Sequence, residues 1–238
     1  MDAQDDILLR QTPTAHRPLL GLTVLVVEDS RFASEAIRLM CLRSGARIRR
    51  ADSIEAAGRH LAIYRPSVLL VDLGLPDGSG LELIEALSDA IPRIDIILGT
   101  SGDAGMGAQV MAAGADGFIA KPVDSLLSFQ TEILKHLPAD RQPPSPRLVA
   151  DEVINPDPIA YQDDLNHIAQ VLRDTPGDQT LDYVTQFLGG VARSAQDHDL
   201  DAAVTNLAQL RRAGQNPSKG VATLSDLVAA RIAAAGPI

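Results

Sequence analysis

What most limits the folds open to this chain is an alternation. Short aliphatic runs, LTVLVV at 22–27, SVLLVDL at 67–73, IDIIL at 94–98 and GFIA at 117–120, recur between longer stretches whose apolar residues fall three and four apart. Continuous β-branched runs bounded by turn residues are what strands buried on both faces look like. The stretches at 31–43, 53–64, 81–90, 106–113 and 125–137 predict helices; in the first, Phe32, Ala36, Leu39 and Met40 supply the apolar stripe. Residues 46–51 alternate Arg47, Ile48 and Arg49, the pattern of an edge strand with one solvated face. Strand and helix alternating in this way predict an α/β fold. The expected form is a doubly wound, five-stranded parallel sheet, with helices on both faces and a ligand crevice at the carboxyl ends of the strands.

After residue 137 the pattern stops. Six prolines fall between Pro138 and Pro158, a composition that continues neither a helix nor a central strand. Helical spacing then returns at 159–173, 179–195, 200–212 and 221–235, with breaks at Pro176-Gly177, 196–199 and 214–220. One apolar stripe per segment predicts a small all-α four-helix domain. The reading is a flexible leader at 1–19 with a short helical turn at 7–10, an α/β domain at 20–138, a proline-rich linker at 139–157 and a helical bundle at 158–238.

Composition narrows the function classes. The net charge is −10, and residues 139–238 alone hold 8 basic and 13 acidic side chains, with basic neighbours only at Arg211-Arg212. Long-range attraction to a polyanion is not expected, so nucleic acid is disfavoured as a partner. A single cysteine, Cys41, rules out an internal disulfide framework, and no apolar run approaches the roughly 18 residues that span a bilayer. Asp2, Asp5 and Asp6 stand where a signal peptide carries basic residues. The expectation is a cytoplasmic protein with no membrane partner.

The chemistry gathers at predicted strand ends. Glu28 and Asp29 follow the first apolar run and Asp72 lies in the last turn of the third. Converging carboxylates repel one another unless one is protonated or a divalent cation neutralises them, and a hard cation with oxygen ligands, Mg²⁺ first, suits the set. Lys121 ends the last strand, and its bond to Pro122 is a candidate for the cis form. Thr100 or Ser101 ends the fourth. A nucleophilic carboxylate, a metal, an ammonium and a hydroxyl around one point meet the needs of phosphoryl transfer onto Asp72. Singly, each acid is better explained as a turn or helix cap; together with Lys121 and the Gly-Leu-Pro turn they favour a site.

These residues, in VVEDS, VDLGLPDGSG, the Thr100-Ser101 pair and GADGFIAKP, resemble the receiver domain of two-component response regulators over residues 20–138. The resemblance implies a flavodoxin-like receiver fold with Asp72 as phosphoacceptor. It also implies Asp29 as a direct Mg²⁺ ligand, Glu28 as a ligand through water and Gly74 as a ligand through its carbonyl. Lys121 would bind a phosphoryl oxygen. Thr100 would be the switching hydroxyl, with Ser101 the fallback, and Phe118 the aromatic that turns inward as the hydroxyl vacates its space. Pro76 and Gly80 match the turn after the phosphoacceptor. One departure stands out: an ungapped count back from Lys121 puts Gly99 at the switch position. The implied partners are a sensor histidine kinase or a phosphotransfer protein, within a phosphorelay.

For the helical half, residues 181–232 are similar to a histidine-phosphotransfer bundle, with Ala208 where that family carries its histidine; His167 and His198 lie outside the motif. An unrelated bundle for docking or dimerisation is the equal alternative. Two function classes remain. One is a phosphorylation-controlled switch, not an enzyme acting on free substrate, whose bundle binds a protein partner or a second copy of itself. The other is an aspartate-nucleophile, metal-dependent phosphatase, which normally carries Asp-x-Asp after its first strand, whereas Asp29 is followed by Ser30 and Arg31.

Overall fold

The computed structural model of the protein describes residues 12–143, 153–173 and 177–234. The helical turn expected at 7–10, the middle of the proline-rich stretch, Pro176 and Ala235 lie outside the described residues. The backbone divides into two compact units; one runs to Asn155, and the other begins at Pro156 and also takes in Ser30–Glu35.

The first unit alternates strand and helix: β1 (Thr23–Val27), α1 (Arg31–Ser44), β2 (Arg47–Ala51), α2 (Ile54–Leu61), β3 (Val68–Asp72), a miniature hairpin of β4 (Gly74–Leu75) and β5 (Gly78–Ser79), α3 (Gly80–Ser88), β6 (Ile96–Ser101), α4 (Gly107–Ala112), β7 (Gly117–Ala120) and α5 (Leu126–Leu134). The five long strands form one parallel sheet in the order β2-β1-β3-β6-β7, the doubly wound arrangement expected.

Successive side chains along each strand go to opposite faces, so each run feeds two cores. Val24, Val26, Leu70 and Leu98 pack on one face with Ile37 and Met40 of α1 and Phe129 and Ile133 of α5. Leu25, Val27, Leu69, Val71 and Ile97 pack on the other with Ala57 of α2, Ile84 of α3 and Val110 of α4. Burial at about 1.5–3 kcal/mol per large aliphatic side chain is what holds the sheet between its helices. At the edge, β2 exposes Arg47, Arg49 and Arg50. Its outward carbonyls are met by its own neighbours, Ile48 by Arg49 Nη1 at 3.3 Å and Arg50 by His60 Nε2 at 3.1 Å.

Three boundaries differ from the sequence reading. The aliphatic run read at 94–98 forms the strand Ile96–Ser101, which starts two residues later than that run and ends, as expected, at Ser101, with Gly99, Thr100 and Ser101 completing the ladders to β3 and β7. The leader ends earlier than residue 19: Leu19 is fully buried in the core of the first unit and its N–H donates to the Ser44 carbonyl at 2.9 Å. The linker also ends earlier. Ile154 is buried in that core, its N–H donates to the Asp124 carbonyl at 2.9 Å, and Val153 bridges to Ser125.

In the second unit the helices are α6 (Pro158–Val171), α7 (Asp178–Ser194), α8 (His198–Arg212) and α9 (Ser218–Ala234). Their stripes meet in a core of Leu165, Ile168, Val184, Leu188, Val191, Leu207, Leu224 and Val228. Asp157 caps α6 and precedes a proline at the helix start. Between α7 and α8, Gln196 takes a positive φ of 55° and Asp197 caps α8 through the Leu200 N–H at 3.1 Å. Asp197 also takes Arg231 at 2.7 and 3.0 Å and the Tyr161 hydroxyl at 2.9 Å. No described helix is long and apolar enough to cross a membrane.

Candidate phosphoryl-transfer site

The carboxyl end of the parallel sheet brings four chain segments to one place, and backbone hydrogen bonds fix each of them. Glu28 N–H donates to the Ala51 carbonyl at 2.9 Å, Leu73 N–H to Thr100 at 3.1 Å, and Lys121 N–H to Ser101 at 2.8 Å. Glu28, Asp72 and Lys121, expected there from strand ends alone, therefore meet. Lys121 Nζ lies 2.7 Å from Glu28 Oε2 and 2.9 Å from Asp72 Oδ2, and all three side chains are buried. Carboxylate oxygens of Glu28, Asp29 and Asp72 fall within 4.8 Å of one another. The Lys121-Pro122 bond is cis, as anticipated.

The electrostatics follow from this crowding. Burial, opposed by Lys121 and reinforced by Asp72 and Asp29, pushes the Glu28 carboxyl up to about 8. For Lys121, burial works against the charge, but attraction from Asp72 and Glu28 outweighs it and holds the ammonium above the ordinary lysine range. One buried ammonium among three gathered carboxylates leaves negative charge to be balanced. A small divalent cation with a preference for oxygen would balance it, so the residues present fit Mg²⁺.

Thr100 sits in register with Asp72 across β3 and β6, which puts both side chains on the same face of the sheet. Its buried Oγ1 has no hydrogen-bond partner, so it is a hydroxyl at the site with capacity to donate. Ser101, the fallback, faces the other way and accepts the Asp103 N–H at 3.1 Å. Phe118 pairs in register with Gly99, and Thr100 pairs with Ile119. Phe118 therefore packs against the core that contains Val110, on the face opposite Thr100. The expected relay, in which Thr100 vacates space for Phe118, is corrected on this point: the two side chains share no face. Gly99 is the residue beside Phe118, and a Cβ there would stand 2.6 Å from Val110 Cγ1.

The loop after Asp72 closes on itself. A Cβ on Gly80 would meet the Asp72 carbonyl oxygen at 2.0 Å, and the Gly80 N–H donates to Leu73 at 3.1 Å, so only glycine lets the chain return this close to Asp72. Gly74 opens the hairpin between these two points. Sequence reasoning missed Asp77 in the same loop. Asp77-Gly78 signals a turn, but nothing in the sequence pattern says that Asp77 reaches the backbone of residues 54 and 55, as it does.

In the helical unit, Ala208 is half-buried on α8 and His198 is the exposed first residue of that helix. His167 is exposed on α6, with Nε2 at 3.0 Å from the Tyr183 hydroxyl and its ring edge-on to Phe187.

Residues 24–128 match the family model of the response regulator receiver domain. Over 215 residues the chain is 29% identical to the transcriptional regulatory protein FixJ of Rhizobium meliloti, covering 90% of this chain and 96% of FixJ. It is 32% identical over 101 residues to the KDP operon transcriptional regulatory protein KdpE of Escherichia coli, a match spanning 42% of this chain and 44% of KdpE. Among solved structures, the chemotaxis response regulator CheY4 of Vibrio cholerae aligns at a TM-score of 0.44 and 20% identity, covering 49% of this chain and 98% of that one.

Proposed function

Since residues 24–128 are a response regulator receiver domain, we propose that the protein is a two-component switch whose Asp72 accepts a phosphoryl group from a phosphohistidine of a sensor kinase or phosphotransfer protein. The observation that carries this reading is Lys121 Nζ bridging Glu28 at 2.7 Å and Asp72 at 2.9 Å beside the gathered carboxylates. A carboxylate oxygen of Asp72 attacks phosphorus, the P–N bond of the donor breaks, and the departing imidazole nitrogen keeps the electron pair and takes up a proton. Lys121, already beside the nucleophile, pairs with the equatorial phosphoryl oxygens as charge gathers there. Thr100 Oγ1, buried without a partner, donates to the same group. Asp29, Asp72, Glu28 through water and the Gly74 carbonyl would hold Mg²⁺, which when bound supplies charge neutralisation at the phosphoryl oxygens.

The state of Asp72 then governs contacts of the protein with a protein partner or a second copy. A cytoplasmic, self-phosphorylating and self-dephosphorylating role accords with this reading, whereas the Asp-x-Asp order that a phosphatase acting on free substrate normally carries does not follow β1, where Asp29 precedes Ser30 and Arg31. The test is Mg²⁺-dependent labelling by acetyl phosphate, read as the mass of the intact chain. The parent gains one phosphoryl group and Asp72→Asn gains none; undiminished labelling of that variant overturns the assignment.

One observation favours a second reading of the helical unit. The alignment to FixJ, named a transcriptional regulatory protein, takes in 90% of this chain and so extends through that unit. A DNA-acting role there is opposed by the acidic excess of residues 139–238. Binding of the phosphorylated chain to mixed duplex DNA, retained at physiological salt, would decide for it.

A further inference from the structure

Helix α2 begins with four backbone N–H groups that have no partner within the helix, as every α-helix does. Three of them have partners here, while the Ala57 N–H makes the first bond of the helix itself, to the Ser53 carbonyl at 3.0 Å. The Ala56 N–H donates to the Ser53 hydroxyl at 3.2 Å. The other two, on Ile54 and Glu55, donate to Oδ1 and Oδ2 of Asp77, both at 2.9 Å. A carboxylate from another loop thus takes both open donors at the positive end of a helix, where negative charge is favoured. Ile54 also fixes the residue beyond: a Cβ on Gly78 would stand 2.8 Å from Ile54 Cδ1.

Asp77 is at the tip of the hairpin that leaves Asp72 and returns at Gly80. The base of that loop is closed by the Gly80–Leu73 hydrogen bond, and its arms pair Gly74 with Ser79 and Leu75 with Gly78. Between base and tip, the direction of the Gly74 carbonyl is set by these two anchors. Resting on the reading above, we infer that Asp77 is a positioning residue for the metal site: by fastening the hairpin tip to α2 it aims the Gly74 carbonyl at the cation held by Asp29 and Asp72. Asp77 itself is exposed and touches neither the metal nor the phosphoryl group, so it acts through Gly74.

The experiment uses the full chain and Mn²⁺ as the probe, with free ion counted by electron paramagnetic resonance, since the chain contains no tryptophan to report binding. Asp77→Ala is expected to weaken Mn²⁺ binding about tenfold, the low end of what losing an outer partner costs a metal site. Asp77→Asn, which keeps one acceptor oxygen, should fall between that variant and the parent. Labelling of Asp77→Ala by acetyl phosphate should slow at low Mg²⁺ and recover the parental rate at saturating Mg²⁺, a separation that mere loss of helix stability does not produce. Parental Mn²⁺ affinity in both variants overturns the inference and leaves Asp72 as phosphoacceptor. A parent chain that binds no Mn²⁺ and takes no label overturns the reading on which it rests.

Discussion

Lys121 is the residue on which the site's stability turns. Replacing it by Met keeps the stem and removes the ammonium, leaving Glu28 and Asp72 buried without the charge that faces them at 2.7 and 2.9 Å. Losing one partner of a buried pair costs about 3–5 kcal/mol. Lys121→Met should therefore lower the unfolding free energy of the metal-free protein by that order in urea titration, and saturating Mg²⁺ should restore part of it; a loss below about 1 kcal/mol would contradict the electrostatic account. Asp197 gives a second residue-level expectation. Hydrogen bonds from Arg231, opposed by burial and helped by Leu200 N–H and the Tyr161 hydroxyl, hold its carboxyl down to about 2 against an ordinary 3.8. A folded-state value below the unfolded one stabilises the charged form: the contribution, about 2 kcal/mol, is complete above the unfolded value and fades as pH falls through about 2. Asp197→Asn should remove it at pH 7 and flatten the acid dependence, read by amide hydrogen exchange in α8.

At the scale of elements, the opposite faces of Thr100 and Phe118 make a sharp expectation. Thr100→Ala should impair the phosphorylated state and leave the NMR shifts of the Phe118 ring in place, whereas Gly99→Ala pushes a methyl into Val110 and should cost about 1–3 kcal/mol while moving that ring's signals. A ring response to Thr100→Ala would restore the direct relay. The strands themselves were legible because β-branched runs such as VLLV have no comparable alternative between turn residues, and Glu28, Asp72 and Lys121 were legible because such a sheet presents its strand ends on one rim. What stayed hidden depends on pairing and on contacts distant in sequence. β6 starts at Ile96 rather than Ile94 because its ladder to β3 begins there, opposite Val68, and Asp77 finds residues 54 and 55 across more than twenty positions.

For the whole molecule, the placement of Ile154 moves the end of the first unit beyond the first four of the six prolines. Glu28, Asp29, Asp72 and Lys121, and both cores of the sheet, lie before Asn155. A chain ending at Asn155 is expected to keep Mg²⁺-dependent labelling of Asp72. One ending at Gln142 also keeps every site residue but loses the Ile154 side chain from the core, and should be less stable by about 2–4 kcal/mol in thermal or urea unfolding. Equal stability of the two truncations would show that the segment adds nothing to the fold.

The outer strand β2 has a bearing on how the protein behaves at high concentration. An open sheet border is a template on which foreign strands can grow, yet here three guanidinium groups line it, and its outward oxygens already meet Arg49 and His60. A newcomer would have to desolvate those charges and compete with both side chains for the outward carbonyls, so this border resists cross-seeding and fibre growth.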